Sequence, residues 1–150
     1  MAGYFDSHAH YWDDRFAKET EKGADALVGS LLENGVSGIV NVGTSPATSR
    51  LAIAQAMRHS GMFAAAGLHP SDAGTLENPE EALSEIEALF SHPAYKLVAV
   101  GEIGLDYHFL PFNREMQNRI FRLQLEMAER LSLPVIVHDR EAHGGEDAAV

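Results

Sequence analysis

Cysteine is absent from the 150 residues. That alone excludes disulfides and thiolate metal sites. Basic residues are scarce: 11 Lys and Arg stand against 22 Asp and Glu, for a formal net charge of −11. The balance argues against a broad basic surface that grips nucleic acid by counterion release. It leaves room for a local site where bound metal ions supply the positive charge. No apolar run reaches the roughly 18 residues of a transmembrane helix, so no membrane partner is expected. The opening Met1-Ala2-Gly3-Tyr4-Phe5-Asp6 lacks the basic and apolar segments of a secretory signal, and cytoplasmic residence is expected. No Gly-x-Gly-x-x-Gly follows the first apolar run, which removes support for a dinucleotide site. A P-loop and a Gly-x-Ser-x-Gly are missing too. What is present is a globular share of hydrophobic residues, 45%, too high for a disordered chain. The length suits one domain with a core, and no linker or repeat divides it.

Short apolar runs alternate with longer helical patterns. The runs are Tyr4-Phe5 (the weakest), Val36 to Val42, Met62 to Gly67, Lys96 to Gly101 and Pro134 to His138. Continuous apolar runs of this length suit strands buried on both faces of a parallel sheet. Between them, Ala24, Leu27, Val28, Leu31 and Leu32 line one helical face, and Asn34-Gly35 stops it. Ser45-Pro46 reads as an N-cap followed by Pro at the first helical position. Asn78-Pro79-Glu80-Glu81 reads as a similar start with Glu81 reaching back. Met116, Ile120, Leu123, Met127 and Leu131 form the stripe of a fourth helix. The expectation is an α/β chain of five parallel strands and four crossover helices.

Each run ends in polar residues: Asp6-Ser7-His8-Ala9-His10, Gly43-Thr44, Gly67-Leu68-His69-Pro70, Gly101-Glu102-Ile103-Gly104 and His138-Asp139-Arg140. In a closed barrel all C-terminal strand ends converge on one axis, whereas an open doubly wound sheet uses only those at its switch point. Five polar ends out of five favour the TIM (β/α)8 barrel type. His8 and His10, at i and i+2 of extended chain, face one side, a spacing that suits a metal ion or a hydrogen-bonded imidazole pair. Glu102 and His138 add an oxygen and a nitrogen donor of the kind Zn²⁺ or Mn²⁺ accepts. Metal binding by His8, His10, Glu102 and His138 is therefore expected. His69 is either a substrate or supporting residue, or the cap of the turn before Pro70. Asp106 either orients a ligand His by accepting its second N–H or caps the following loop. Arg140 either meets a phosphate or pairs with Asp139 or Glu141.

At these residues the chain resembles the TatD family of metal-dependent deoxyribonucleases. The matching pieces are Phe5-Asp6-Ser7-His8-Ala9-His10, Asn41-Val42-Gly43-Thr44, Gly67-Leu68-His69-Pro70, Gly101-Glu102-Ile103-Gly104-Leu105-Asp106-Tyr107 and Pro134-Val135-Ile136-Val137-His138-Asp139-Arg140. The resemblance implies a TIM barrel with two divalent ions (Zn²⁺, Mn²⁺ or Mg²⁺) that hydrolyses phosphodiester bonds in DNA. By motif, His8 and His10 would bind the first ion, Glu102 would bridge both, and His138 would bind the second. A complete barrel of this type runs to about 250 residues. Residues 1–150 are accordingly expected to be the N-terminal portion of one hydrolase barrel domain. A further His ligand and the general-base Asp would lie beyond Val150. Two alternatives follow from the same residues: a related amidohydrolase-type enzyme, or a truncated polypeptide that binds metal without catalysis. Unpaired outer strands would also favour self-association.

Overall fold

The computed structural model describes residues 3–20, 22–108 and 110–142. The tail from His143 to Val150 lies outside the described residues. Five strands form one sheet: β1 (Tyr4–Ala9), β2 (Val36–Val42), β3 (Met62–Ala66), β4 (Leu97–Asp106) and β5 (Val135–Arg140). Their order is β1-β2-β3-β4-β5, and every neighbouring pair is parallel. This is the TIM-barrel type, present as five adjacent strands with helices on the outside, and β1 and β5 are its edges among the described residues.

The four expected crossover helices are α2 (Gly23–Glu33), α3 (Pro46–Arg58), α5 (Pro79–Leu89) and α6 (Arg114–Leu131). Two short helices were not expected: α1 (Asp14–Glu19) and α4 (Pro70–Ala73). A 3₁₀ turn at Pro93–Tyr95 is also added. Both short helices are too brief for an amphipathic repeat. Each is started instead by a cap, Asp13 accepting from Arg15 N–H and His69 accepting from Ser71 N–H. At α3 the Ser45 hydroxyl and Thr48 form the reciprocal box ahead of Pro46. At α5 the expected cap is corrected: Asn78 holds the N-cap position but its side chain makes no capping bond.

A second correction concerns β4. The run expected to stop at Gly101 continues to Asp106, so Glu102 lies within the strand and not at its mouth turn. Gly101 and Gly104 are there to admit β5. A Cβ on Gly101 would sit 2.6 Å from the Ile136 Cβ, and one on Gly104 would fall onto the His138 carbonyl. Gly104 also has φ of +144°, which L side chains rarely adopt.

Apolar burial is two-sided, as continuous runs require. Ile39, Met62, Ala64, Ala66 and Val100 pack against Ile53, Leu83, Ile86, Ile120 and Met127 of the helices. Val40, Val42, Ala65 and Ala99 form a separate cluster on the inner face with Val98 and Ile136. Two buried glutamines of α6 join the helix to strand-end backbone. Gln117 accepts from Asp106 N–H and donates to Asp106 O, both at 2.8 Å. Gln124 treats Leu68 the same way, at 2.7 and 3.1 Å. These two clamps fix the backbone beside His69 and at Asp106.

Candidate metal centre

Strands β1, β3, β4 and β5 bring six of the seven singled-out side chains together, with four histidines on Glu102 and Asp106 behind His138. His8 Nε2 lies 3.3 Å and His10 Nε2 3.5 Å from Glu102 Oε2. On the other oxygen, His138 Nδ1 lies 3.1 Å and His69 Nε2 4.0 Å from Oε1. His138 continues outward, with Nε2 3.0 Å from Asp106 Oδ2. The i, i+2 spacing of His8 and His10 thus places both rings on one side, centroids 5.0 Å apart. His69 and His138 meet edge to face at 4.3 Å.

The contacts of His69, Asp106 and Arg140 bear on the alternatives left open by the residues. His69 caps the turn before Pro70, its Nδ1 accepting from Ser71 N–H at 3.2 Å, while its Nε2 points toward the centre. Asp106 makes both contacts, one oxygen each: Oδ2 faces His138, and Oδ1 accepts from His108 N–H at 3.0 Å. Arg140 ends β5 with an exposed side chain, and its carbonyl accepts from Tyr107 N–H at 2.9 Å. It stands outside the groups gathered on Glu102.

The electrostatics suit a cation. Glu102 is 8% exposed. Burial alone would raise its carboxyl, but the His138 hydrogen bond and the field of the surrounding histidines overcome this and hold it down at about 2. His138 is raised, first by its hydrogen bond to Glu102, against burial, and then by Asp106. His69 is lowered, first by burial and then by the neighbouring His138.

The donor set fits a divalent ion on a point of local chemistry. His10 Nδ1 lies 2.7 Å from the Val42 carbonyl, an acceptor only, so that nitrogen carries the proton. Its Nε2 faces a carboxylate oxygen at 3.5 Å, a contact that a cation shared by the two or a second ring proton would satisfy. Donors sharing one tetrahedral ion at 2.0–2.1 Å sit roughly 3.4 Å apart, which the His8–Glu102 and His10–Glu102 distances match. His8, His10 and Glu102 form one group able to hold an ion, and His69, Asp106 and His138 a second.

Sequence reading missed the supports behind these groups. The Val42 carbonyl that orients His10 also accepts from Trp12 Nε1 at 2.7 Å. Asn41 Oδ1 accepts from Tyr11 N–H at 2.9 Å, tying the segment after β1 to β2. The signal available was that Asn41 is a polar residue inside an apolar run, and it is fully buried.

Fold and site together define a TIM-barrel protein whose strand ends gather imidazoles and carboxylates of the metal-ligand type. The model of the family described as TatD related DNase matches residues 5–148, and the chain belongs to that family. An uncharacterized metal-dependent hydrolase of Bacillus subtilis, YabD, is 34% identical over 138 residues, covering 92% of this chain and 51% of that protein. The 3′-5′ ssDNA/RNA exonuclease TatD of Escherichia coli K12 is 34% identical over 140 residues, covering 93% and 50%. The chain therefore spans about half the length of the curated relatives it matches. Among solved structures, the TatD homologue YJJV of Escherichia coli K12 superposes with a TM-score of 0.77 at 31% identity, covering 93% of this chain and 52% of that one. A TatD-family hydrolase of Entamoeba histolytica shares the fold with a TM-score of 0.73 at 23% identity, over 93% and 50% of the two chains.

Proposed function

We propose that residues 1–150 are the N-terminal portion of a single metal-dependent hydrolase barrel that cleaves phosphodiester bonds in DNA. The observation that carries this is Glu102, a buried carboxylate faced by His8 and His10 on one oxygen and by His138 on the other. In this reading His8 and His10 hold one divalent ion, His138 holds a second, and Glu102 contacts both. Zn²⁺, Mn²⁺ and Mg²⁺ are the candidates. When bound, such ions lower the pKa of water and stabilise charge on the attacking and leaving oxygens. The residues of this chain bind and orient: Val42 fixes His10, Asp106 fixes His138, and the Gln117 clamp holds Asp106 in place. The general-base Asp is assigned, through the family resemblance, to sequence beyond Val150. With a net charge of −11, the surface does not draw DNA in, so recognition belongs at the site itself. The cytoplasm, where nucleic acid is at hand, completes the reading. The names of the relatives, a metal-dependent hydrolase and a single-strand exonuclease, support the substrate class.

The test is calorimetric titration of the purified chain with Zn²⁺ or Mn²⁺, paired with cleavage of an end-labelled DNA strand with and without chelator. His8→Ala with His10→Ala is expected to abolish tight binding. His59→Ala is expected to leave it intact, because His59 ends α3 and pairs with Asp25 at 3.3 Å, away from Glu102. Equal losses in the two variants, or a wild-type chain that binds no divalent ion, would remove the assignment.

A further inference from the structure

The imidazoles around Glu102 are not equivalent, and the partner of the outward nitrogen tells them apart. His10 Nδ1 faces the Val42 carbonyl at 2.7 Å, and His138 Nε2 faces the Asp106 carboxylate at 3.0 Å. Both partners only accept. Each outward nitrogen therefore carries a proton, which leaves the inward nitrogen as the one that a bound cation would take. His69 is the reverse case. Its Nδ1 lies 3.2 Å from the backbone N–H of Ser71, a group that only donates. Nδ1 must be the bare nitrogen, so the ring is neutral and its proton sits on Nε2, 4.0 Å from Glu102 Oε1. Turning the ring over would put carbon against the Ser71 N–H and leave the cap of α4 empty.

The competing role is ligation. His69, Asp106 and His138 each bring one donor atom within 4.8 Å of the others, which is close enough for a shared ion. Ligation through Nε2 would require the proton on Nδ1, pointing donor against donor at Ser71. The backbone resists moving away from that clash. His69 N–H is bonded to Thr44 O at 2.9 Å, and its carbonyl accepts from Asp72 and Ala73 at 3.0 and 2.9 Å. Pro70 at the first position of α4 stiffens the same turn.

We propose that His69 is the hydrogen-bond donor of this site and not a metal ligand: its Nε2–H, held by the Ser71 cap, is directed at a phosphoryl oxygen of a substrate seated beside Glu102. The inference rests on the phosphodiester reading above and adds a division of labour to it. A neutral N–H can hold an oxyanion without adding a positive charge that would repel the ions. Its direction is set before substrate arrives, which is the condition for electrostatic stabilisation of developing charge.

The experiment has two arms. Nitrogen-15 NMR of the histidine rings reads the tautomer of the metal-free chain, and then of the Zn²⁺-loaded chain. His69 is expected as the Nε2–H form in both, with His10 as the Nδ1–H form. A His69 in the Nδ1–H form, or a Zn²⁺-induced shift at its Nε2, overturns the proposal. The second arm measures Zn²⁺ affinity and then binding of inorganic phosphate to the loaded chain. His69→Ala is expected to leave Zn²⁺ affinity within about threefold and to weaken phosphate about three- to tenfold, the loss of one net hydrogen bond. His69→Gln, whose side-chain amide supplies an N–H, is expected to recover part of the phosphate binding. A Zn²⁺ loss equal to that of His10→Ala, or unchanged phosphate binding, overturns it. A wild-type chain that takes up no ion defeats the metal reading instead, and the metal-free tautomer still decides the case of His69.

Discussion

At the scale of single residues, the centre is organised by Glu102, and its titration has a consequence for the metal-free protein. Its carboxyl is held at about 2 against an ordinary 4.5, because the His138 bond and the field of the surrounding histidines outweigh burial. The unfolded chain binds a proton here before the folded one does. The stability this group contributes is therefore fully present above pH 4.5 and is lost as pH falls toward 2. Metal-free chain is expected to show a steep loss of stability across that window, with proton uptake on unfolding. Glu102→Gln is expected to remove one proton from that uptake. Urea melts of the metal-free chain at stepped pH measure it, and an unchanged slope in the variant would place the acid sensitivity elsewhere.

At the scale of elements, the sheet shows what a sequence reveals and what it hides. Val36 to Val42 announces itself as a strand because both of its faces are covered, and Val135 to Val137 does so by its β-branched residues although only Ile136 reaches the core. The strand-end argument then reached His8, His10, Glu102 and His138 without any structure, since parallel strands put all their C-terminal ends on one side. The continuation of β4 through Gly101 and Gly104 was hidden because glycine signals a turn and a close approach equally well. Only the position of β5 tells which applies. Gln117 and Gln124 were hidden for a different reason. A helical stripe is sought among apolar residues, and these two sit on the buried face of α6 as polar ones, each 1% exposed. Their value lies in the backbone they satisfy. Gln124→Leu keeps the volume but leaves the Leu68 N–H and carbonyl without their partner. The expected cost is about 2–4 kcal/mol, because a buried unsatisfied group costs about 1–3 kcal/mol. Exposed Glu126→Gln on the same helix is expected to change stability by less than about 0.5 kcal/mol. Urea midpoints of the two variants make the comparison, and similar values would show that the clamp is dispensable.

For the molecule as a whole, two opposing terms decide whether the 150-residue chain stays single. The outer strands carry apolar side chains in the open. Tyr4 and Phe5 of β1 are 84% and 56% exposed, and Val135 and Val137 of β5 are 37% and 51% exposed. Neither has a further strand beside it among the described residues, and such an edge invites another strand. Against this stands the net charge of −11, which makes copies repel one another. The repulsion is long-ranged only in dilute salt, since the screening length falls to about 8 Å near 0.15 M. The apolar attraction acts on contact and is not weakened by salt. Association of the purified chain is therefore expected to strengthen as salt rises, the reverse of an assembly held by ion pairs. Phe5→Lys with Val137→Lys places a charge on each edge and is expected to restore a monomer at every salt concentration. Sedimentation velocity at micromolar protein across a salt series decides it. A wild-type chain that sediments as a monomer throughout would mean that the two edges are shielded from other copies, and that the exposed Phe5 and Val137 carry no tendency to pair.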